Sequence, residues 1–203
     1  MKYIAHLQKD KKLARTIGEE THELTLHPNI PLRLMASIMG QQLSTKVARV
    51  IFRRFLDLYG GKEPKPQQVL ATPFEKLRGI GLSNAKVSYV QNVARFCIEH
   101  KITDKKLLAL DNEKIIELLT DVKGVGKWTV EMLLMFTLGR EDIFAVDDLG
   151  IQQAMMKLYK LDANDKKKMK EQMLKISAKW TPFRTYACIH LWRWKDNTPD
   201  PKK

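Results

Sequence analysis

At 203 residues with 44% apolar side chains, the chain can bury a core and suffices for one domain or two small lobes. Its net charge of +13 and pI near 9.7 suit a polyanionic partner, most commonly nucleic acid, although a soluble basic surface carries the same signature. No run of about 18 apolar residues offers a membrane span, the early charges Lys9, Asp10, Lys11 and Lys12 argue against a secretion signal, and two cysteines, Cys97 and Cys188, cannot build a four-cysteine zinc or iron–sulfur site and read as reduced thiols of an intracellular protein.

Residues 1–27 are polar and mixed, with helical turns and no legible chemistry. His22 and His27 lie near Glu20 and Glu23, where a solvated surface is a simpler reading than a metal site. The apolar residues 31–39 lead into Gly40-Gln41-Gln42-Leu43-Ser44. Ser44 is placed to cap a helix running to about Tyr59 and stopped by Gly60-Gly61, with Val47, Ile51, Phe55 and Leu58 recurring toward a core. Lys46, Arg49, Arg53 and Arg54 take its other faces, a solvated surface by default and a DNA-facing stripe on the sharper reading. Thr72-Pro73-Phe74-Glu75 has the order of a helix start, with Thr72 as cap, Pro at the first turn and Glu three after the cap. That helix stops at Gly79-Ile80-Gly81, and Ser83 caps the next, which carries Val87, Val90, Val93, Ala94 and Cys97.

Asp111 caps a helix over 112–119, and a second helical pattern covers 127–138. Between them stand Gly124 and Gly126. A tight glycine turn lets foreign atoms approach the backbone and presents the N–H end of the following helix to an anion. Two nucleotide motifs fail here. A dinucleotide fingerprint needs glycine where Thr129 stands, and a P-loop needs Ser or Thr where Trp128 stands. A helix–hairpin–helix whose phosphate belongs to a DNA backbone remains, against a plain helical corner. The Leu77–Gly81 turn echoes it weakly, too weakly for a repeat. After a helix-free stretch, Asp142-Ile143-Phe144-Ala145-Val146, the pair Asp147-Asp148 opens a helix over 149–159. Asn164 or Asp165 opens a strongly basic one with Lys166, Lys167, Lys168 and Lys170, and Thr181-Pro182 opens the last, over 183–194. No stretch alternates as a strand would, so the fold class is all-α, and residues before about 30 are expected to pack beside the C-terminal helices.

Five segments in this order resemble the helix–hairpin–helix (HhH-GPD) DNA glycosylases with a downstream catalytic Asp, and within them the alkylation-repair branch, 3-methyladenine DNA glycosylase II. They are Ile38-Met39-Gly40-Gln41-Gln42-Leu43-Ser44, Leu77-Arg78-Gly79-Ile80-Gly81-Leu82-Ser83, Val122-Lys123-Gly124-Val125-Gly126-Lys127-Trp128-Thr129, Phe144-Ala145-Val146-Asp147-Asp148-Leu149, and Trp180-Thr181-Pro182-Phe183-Arg184-Thr185-Tyr186-Ala187-Cys188-Ile189-His190-Leu191-Trp192. The resemblance implies two helical lobes flanking a cleft: lobe one about 30–139 with the hairpin at 119–130, and lobe two from 1–29 packed with 140–203. It implies the compact form, because the chain is too short for the extra N-terminal β lobe of the bacterial prototype.

By the same resemblance Asp148 is the catalytic carboxylate, placed to stabilise the positive charge left on a sugar as its base departs and to orient a water, while Asp147 keeps a capping role. Trp128 stands where backbone-cutting relatives carry a nucleophilic Lys, which implies base release without strand cleavage. Trp128 and Trp192 line a base pocket, where an indole face attracts a cationic alkylated purine by about 0.5–2 kcal/mol. Met132 stands where the prototype has a further pocket aromatic. Gln42 matches the residue that fills the gap left by the flipped base, with Gln41, Ser44 and Thr129 on the DNA side. Gly124, Gly126 and Lys127 hold a phosphate. A structural Na+ or K+ sits on the backbone carbonyls of Thr120, Val122 and Val125, with no cofactor for catalysis.

The implied function is a monofunctional glycosylase for 3-methyladenine or 7-methylguanine type bases in double-stranded DNA, acting as a cytoplasmic monomer, nucleoid-associated if the source is bacterial. Two other readings stay open from the residues. One is a non-catalytic DNA-binding module using the same hairpin and charge; the other is a glycosylase for deaminated or oxidised bases.

Overall fold

The computed structural model describes residues 1–197. Among them are twelve α-helices and two short 3-10 turns, with no strand. The chain separates into two compact units, one of residues 25–138 and one that joins residues 1–24 to those from 139 onward.

In the 25–138 unit, α1 (Ile30–Gly40) is the central element. Ile30, Leu32, Leu34, Met35, Ile38 and Met39 are all buried, and a helix apolar on nearly every side belongs inside. It packs on α2 (Thr45–Asp57), α5 (Asn84–Glu99) and α8 (Lys127–Phe136). Burying one Leu or Ile contributes about 1.5–3 kcal/mol, so this helix is the unit's main apolar anchor. The start of α1 is held by Asp104, whose carboxylate accepts the N–H groups of Asn29 and Ile30 at 2.7 and 2.9 Å. Asn29 tolerates its left-handed φ of 60° as the helix cap.

Between α2 and α5 lie α3 (Pro66–Ala71) and α4 (Phe74–Gly79), and α6 (Asp104–Leu108) and α7 (Asn112–Thr120) precede the hairpin. Ser83 and Asp111 cap as expected, accepting the N–H of Lys86 and Lys114. Two local expectations fail. On α2 only Ile51 and Phe55 are buried, whereas Val47 and Leu58 are 44% and 37% exposed, because the footprint of crossing helices spans only the middle turns. Thr72 does not cap α4. It ends α3 instead, donating to the Gln68 carbonyl and meeting the Tyr59 hydroxyl at 2.9 Å.

The echo of the hairpin at Gly81 is closer in space than in sequence. Gly81 and Gly124 share φ values of 106° and 102°. Each is followed by a buried apolar residue, Leu82 or Val125, and then by an extended helix cap, Ser83 or Gly126.

The other unit contains α9 (Leu149–Tyr159), α10 (Lys166–Ser177), α11 (Arg184–Asn197) and, from the start of the chain, the short helix Lys2–Leu7. Asp165 caps α10 by accepting the Lys168 N–H. The last helix starts at Arg184, later than the sequence pattern suggests, after a cis Thr181–Pro182 peptide. Tyr3 stacks on Tyr186 with ring centroids 3.9 Å apart. Asp10 accepts from the Tyr159 hydroxyl and the Trp180 indole at 2.7 and 3.1 Å. Burial raises the Asp10 carboxyl, but the bonds from Tyr159, Leu13, Trp180 and Lys12 outweigh it and hold its pKa below the usual value. Trp180 is therefore core, and Trp194 lies under the Lys157 ammonium. His22 is not solvated surface: its ring meets His190 edge-on and takes an Arg193 N–H. Cys97 and Cys188 are both buried free thiols.

His190 is buried, and burial with the His22 ring beside it pushes the imidazole down to about 4. The folded ring stays neutral while the unfolded ring takes a proton below about pH 6.5. The stabilisation is complete above pH 6.5 and is lost as pH falls toward 4, a change of about 3 kcal/mol. Urea midpoints at pH 7 and 4.5 should therefore diverge in the wild type and diverge less in His190→Gln. An equal pH dependence in both proteins would remove His190 as the cause.

Candidate active site and nucleic-acid interface

The hairpin is shaped by its backbone. α7 ends at Thr120, the Val122 N–H returns to the Leu119 carbonyl, and the Val125 N–H returns to Val122 at 2.9 Å. Buried Val122 and Val125 pin the loop from below. Gly124 reverses the chain, and a Cβ there would lie 2.2 Å from the Tyr89 ring. Gly126 begins α8 in extended conformation with no side-chain cap, so the N–H end of the helix faces outward beside Lys127, whose side chain is 53% exposed. Lys127 stands 3.7 Å from Glu131, a buried acid that no sequence pattern singles out. The carbonyls of Thr120, Val122 and Val125 supply the hard oxygen chemistry that an alkali cation takes. That of Val122 also accepts the Val125 N–H.

The turn after α1 forms the second part. Gln42 takes a left-handed φ of 59° and its side chain is exposed. The Lys86 ammonium donates to the carbonyls of Met39 and Gln41 at 3.0 and 2.6 Å, fixing the helix end from below. A lysine on the edge of an apolar stripe gives no hint of this in sequence. Ser44 caps α2. Ser37, Gly40, Gln41, Gln42, Leu43 and Trp128 line a cavity of about 460 Å³. Trp128 is 41% exposed, and Met132, one turn on, is half-buried. Thr129 departs from its expected place on the DNA side. It is buried, and its hydroxyl accepts the Gln41 side-chain N–H at 3.2 Å, because the first turn of α8 rotates it inward.

In the other unit, the candidate catalytic residue is Asp148. The helix-free stretch before it is clamped to α11. Arg184 forms two bonds to the Asp142 carboxylate at 2.7 and 2.9 Å, the Ile143 N–H donates to the Thr185 hydroxyl, and that hydroxyl donates to the Arg140 carbonyl. The same helix carries Trp192. Its indole N–H donates to Asp148 Oδ1 at 2.8 Å, and the Ile151 N–H donates to the same oxygen at 2.8 Å. Two donors on one oxygen fix the carboxylate plane.

Capping thus belongs to Asp148 and not to Asp147, which binds Lys170 at 2.5 Å. The cap needs an acceptor one residue before Leu149, and only Asp148 stands there. Gly150, unremarked in the sequence, makes the contact sterically feasible, since a Cβ would lie 2.9 Å from Trp192 and 3.1 Å from Asp148 Oδ1. The structure brings Asp148 and Trp192 together through the edge of the indole.

A family model described as HhH-GPD superfamily base excision DNA repair protein matches residues 35–179. DNA-3-methyladenine glycosylase 1 of Schizosaccharomyces pombe is 36% identical over 186 residues, covering 90% of this chain and 80% of its own. The solved S. pombe 3-methyladenine DNA glycosylase in complex with abasic DNA superposes with a TM-score of 0.81 at 33% identity, covering 95% of this chain and 96% of that one. A DNA-3-methyladenine glycosidase from Bacillus halodurans superposes at 0.80 with 34% identity, covering 95% and 88%.

Proposed function

The chain belongs to the HhH-GPD superfamily of base excision DNA repair proteins, and from this we propose that it is a monofunctional DNA glycosylase removing alkylated purines of the 3-methyladenine and 7-methylguanine type from double-stranded DNA. The observation that supports the reading is the Asp148 carboxylate, held by the Ile151 N–H and the Trp192 indole. As the glycosidic bond lengthens, the sugar turns cationic, and a fixed anion stabilises it and orients the attacking water. An alkylated purine is already cationic and leaves without a strong acid. Trp192 therefore acts on the reaction through Asp148 and offers its face to the base.

Trp128 and Met132 receive the base, and Gln42 fills the gap it leaves, donating and accepting toward the orphaned partner. Gly126 and Lys127 take a backbone phosphate at the N–H end of α8, and Gly124 shapes the turn that presents them. Na+ or K+ on Thr120, Val122 and Val125 would extend the positive end of that site. Catalysis itself needs water and no cofactor. With Trp128 in place of a lysine, no Schiff base forms and an abasic site is the product. No helix among the described residues is long and apolar enough to cross a membrane. We assign the chain to the cytoplasm, associated with the nucleoid if the source is bacterial, acting as a monomer.

The test is incubation with methylated duplex DNA. Free methylpurine should appear by chromatography, and strand breaks only after alkali. Parallel duplexes with deaminated or oxidised bases should yield less. Tight binding of an abasic-site mimic with no base released from any duplex would leave only the non-catalytic DNA-binding module.

A further inference from the structure

Helix α10 carries Lys166, Lys167, Lys168 and Lys170 in its first turns, a cluster that the roles assigned above leave unused. The placement is unfavourable for the isolated protein. The N-terminal end of a helix is electropositive, no acidic residue stands in the first turn of α10, and like charges three and four apart repel. The Asp165 cap and Glu171 offset only part of this. The charge is also concentrated. Residues 157–179 hold eight lysines against three carboxylates, whereas the other described residues of this unit, 1–24, 139–156 and 180–197, hold nine cations against nine anions. Among the described residues, the unit's entire surplus therefore lies on α10 and its flanks.

One contact locates that surplus. Lys170 is paired with Asp147, the residue before Asp148, so the lysine-bearing end of α10 is tethered beside the carboxylate. The pair also neutralises an acid that would otherwise repel a phosphate there. Lys166 and Lys167 share a helix face with Lys170, are exposed, and extend about 6 Å along the axis from it.

We infer that Lys166 and Lys167 form a second phosphate-contact surface, separate from the hairpin, that grips the DNA backbone flanking the nucleotide at Asp148. The inference rests on the proposed glycosylase reading for the position of DNA. Phosphates advance about 3.4 Å along the duplex axis per strand, so two lysines on this face reach one or two of them. The bound phosphates relieve the repulsion that the free helix carries.

The test compares wild type, Lys166→Gln/Lys167→Gln and Lys166→Arg/Lys167→Arg for binding to a duplex with an abasic-site mimic across a salt series, together with thermal unfolding. The Gln variant should bind roughly tenfold or more weakly at 0.1 M salt, and its slope of log affinity against log salt should be shallower by about 1–2. Its midpoint of unfolding should equal or exceed the wild type's, and the Arg variant should keep the wild-type slope. A wild-type slope in the Gln variant overturns this surface alone, as does a Gln variant that melts below the wild type. A wild-type chain without salt-dependent duplex binding overturns the surface and the glycosylase reading together.

Discussion

Replacing Asp148 with Asn is expected to lower base release from methylated duplex by about 10²–10⁴-fold while leaving the fold intact. The two roles of Asp148 separate cleanly in this variant. As a helix cap, Asn is equivalent to Asp, and its amide oxygen can still accept from Ile151 and Trp192, the bonds that hold the native side chain at 2.8 Å. Only the negative charge is lost, and the charge is what the cationic sugar needs. Asp148→Ala removes charge and cap together and should cost about 1 kcal/mol of stability besides the activity. Single-turnover base release and thermal unfolding of both variants separate the effects. An Asn variant within tenfold of the wild-type rate would mean that another group carries the charge.

Gly124→Ala is expected to cost about 2–4 kcal/mol and to abolish tight duplex binding, whereas Gly126→Ala should fold normally and lose affinity alone. At Gly124 φ is 102°, and an added Cβ would sit 2.2, 2.5 and 2.7 Å from three Tyr89 atoms, the last being the Tyr89 Cβ, which cannot swing away. At Gly126 φ is −94° and nothing lies within 4 Å of an added Cβ, so the fold has no objection. The open space there lies where the phosphate is proposed to approach. Denaturant unfolding and binding to an abasic-site mimic distinguish the two positions. Equal stability losses would show that both glycines serve packing. Gly124→Ala in a Tyr89→Ala background should recover part of the stability, since the ring is removed but the Cβ contact at position 89 and the backbone strain stay.

Much of this molecule is local chemistry and is readable as such. Ser44, Ser83, Asp111 and Asp165 announce helix starts because a cap needs only an acceptor followed by helix-forming residues. The hairpin announces itself because its turn demands glycine. Thr72 misleads for the same reason: its neighbours spell a helix start, but its hydroxyl is equally placed to close the preceding turn, where Tyr59 from another helix meets it. Val47 and Leu58 mislead because periodicity says which face of a helix turns inward, not how far along its length a partner extends.

The order of caps, glycines and apolar faces along the chain determined an all-α protein with a glycine hairpin and an acidic pair downstream, since each depends on residues a few places apart. Only the tertiary structure decided that Asp148 rather than Asp147 is the cap, that Trp192 spends its N–H on that carboxylate, that Gly150 clears the space between them, and that Lys86 braces the Gln41 turn. The Trp192–Asp148 and Lys86–Gln41 contacts join residues 44 and 45 positions apart through the packing of one helix on another. Their distances are set by the buried apolar faces that bring the helices together, which no neighbouring pair of residues encodes.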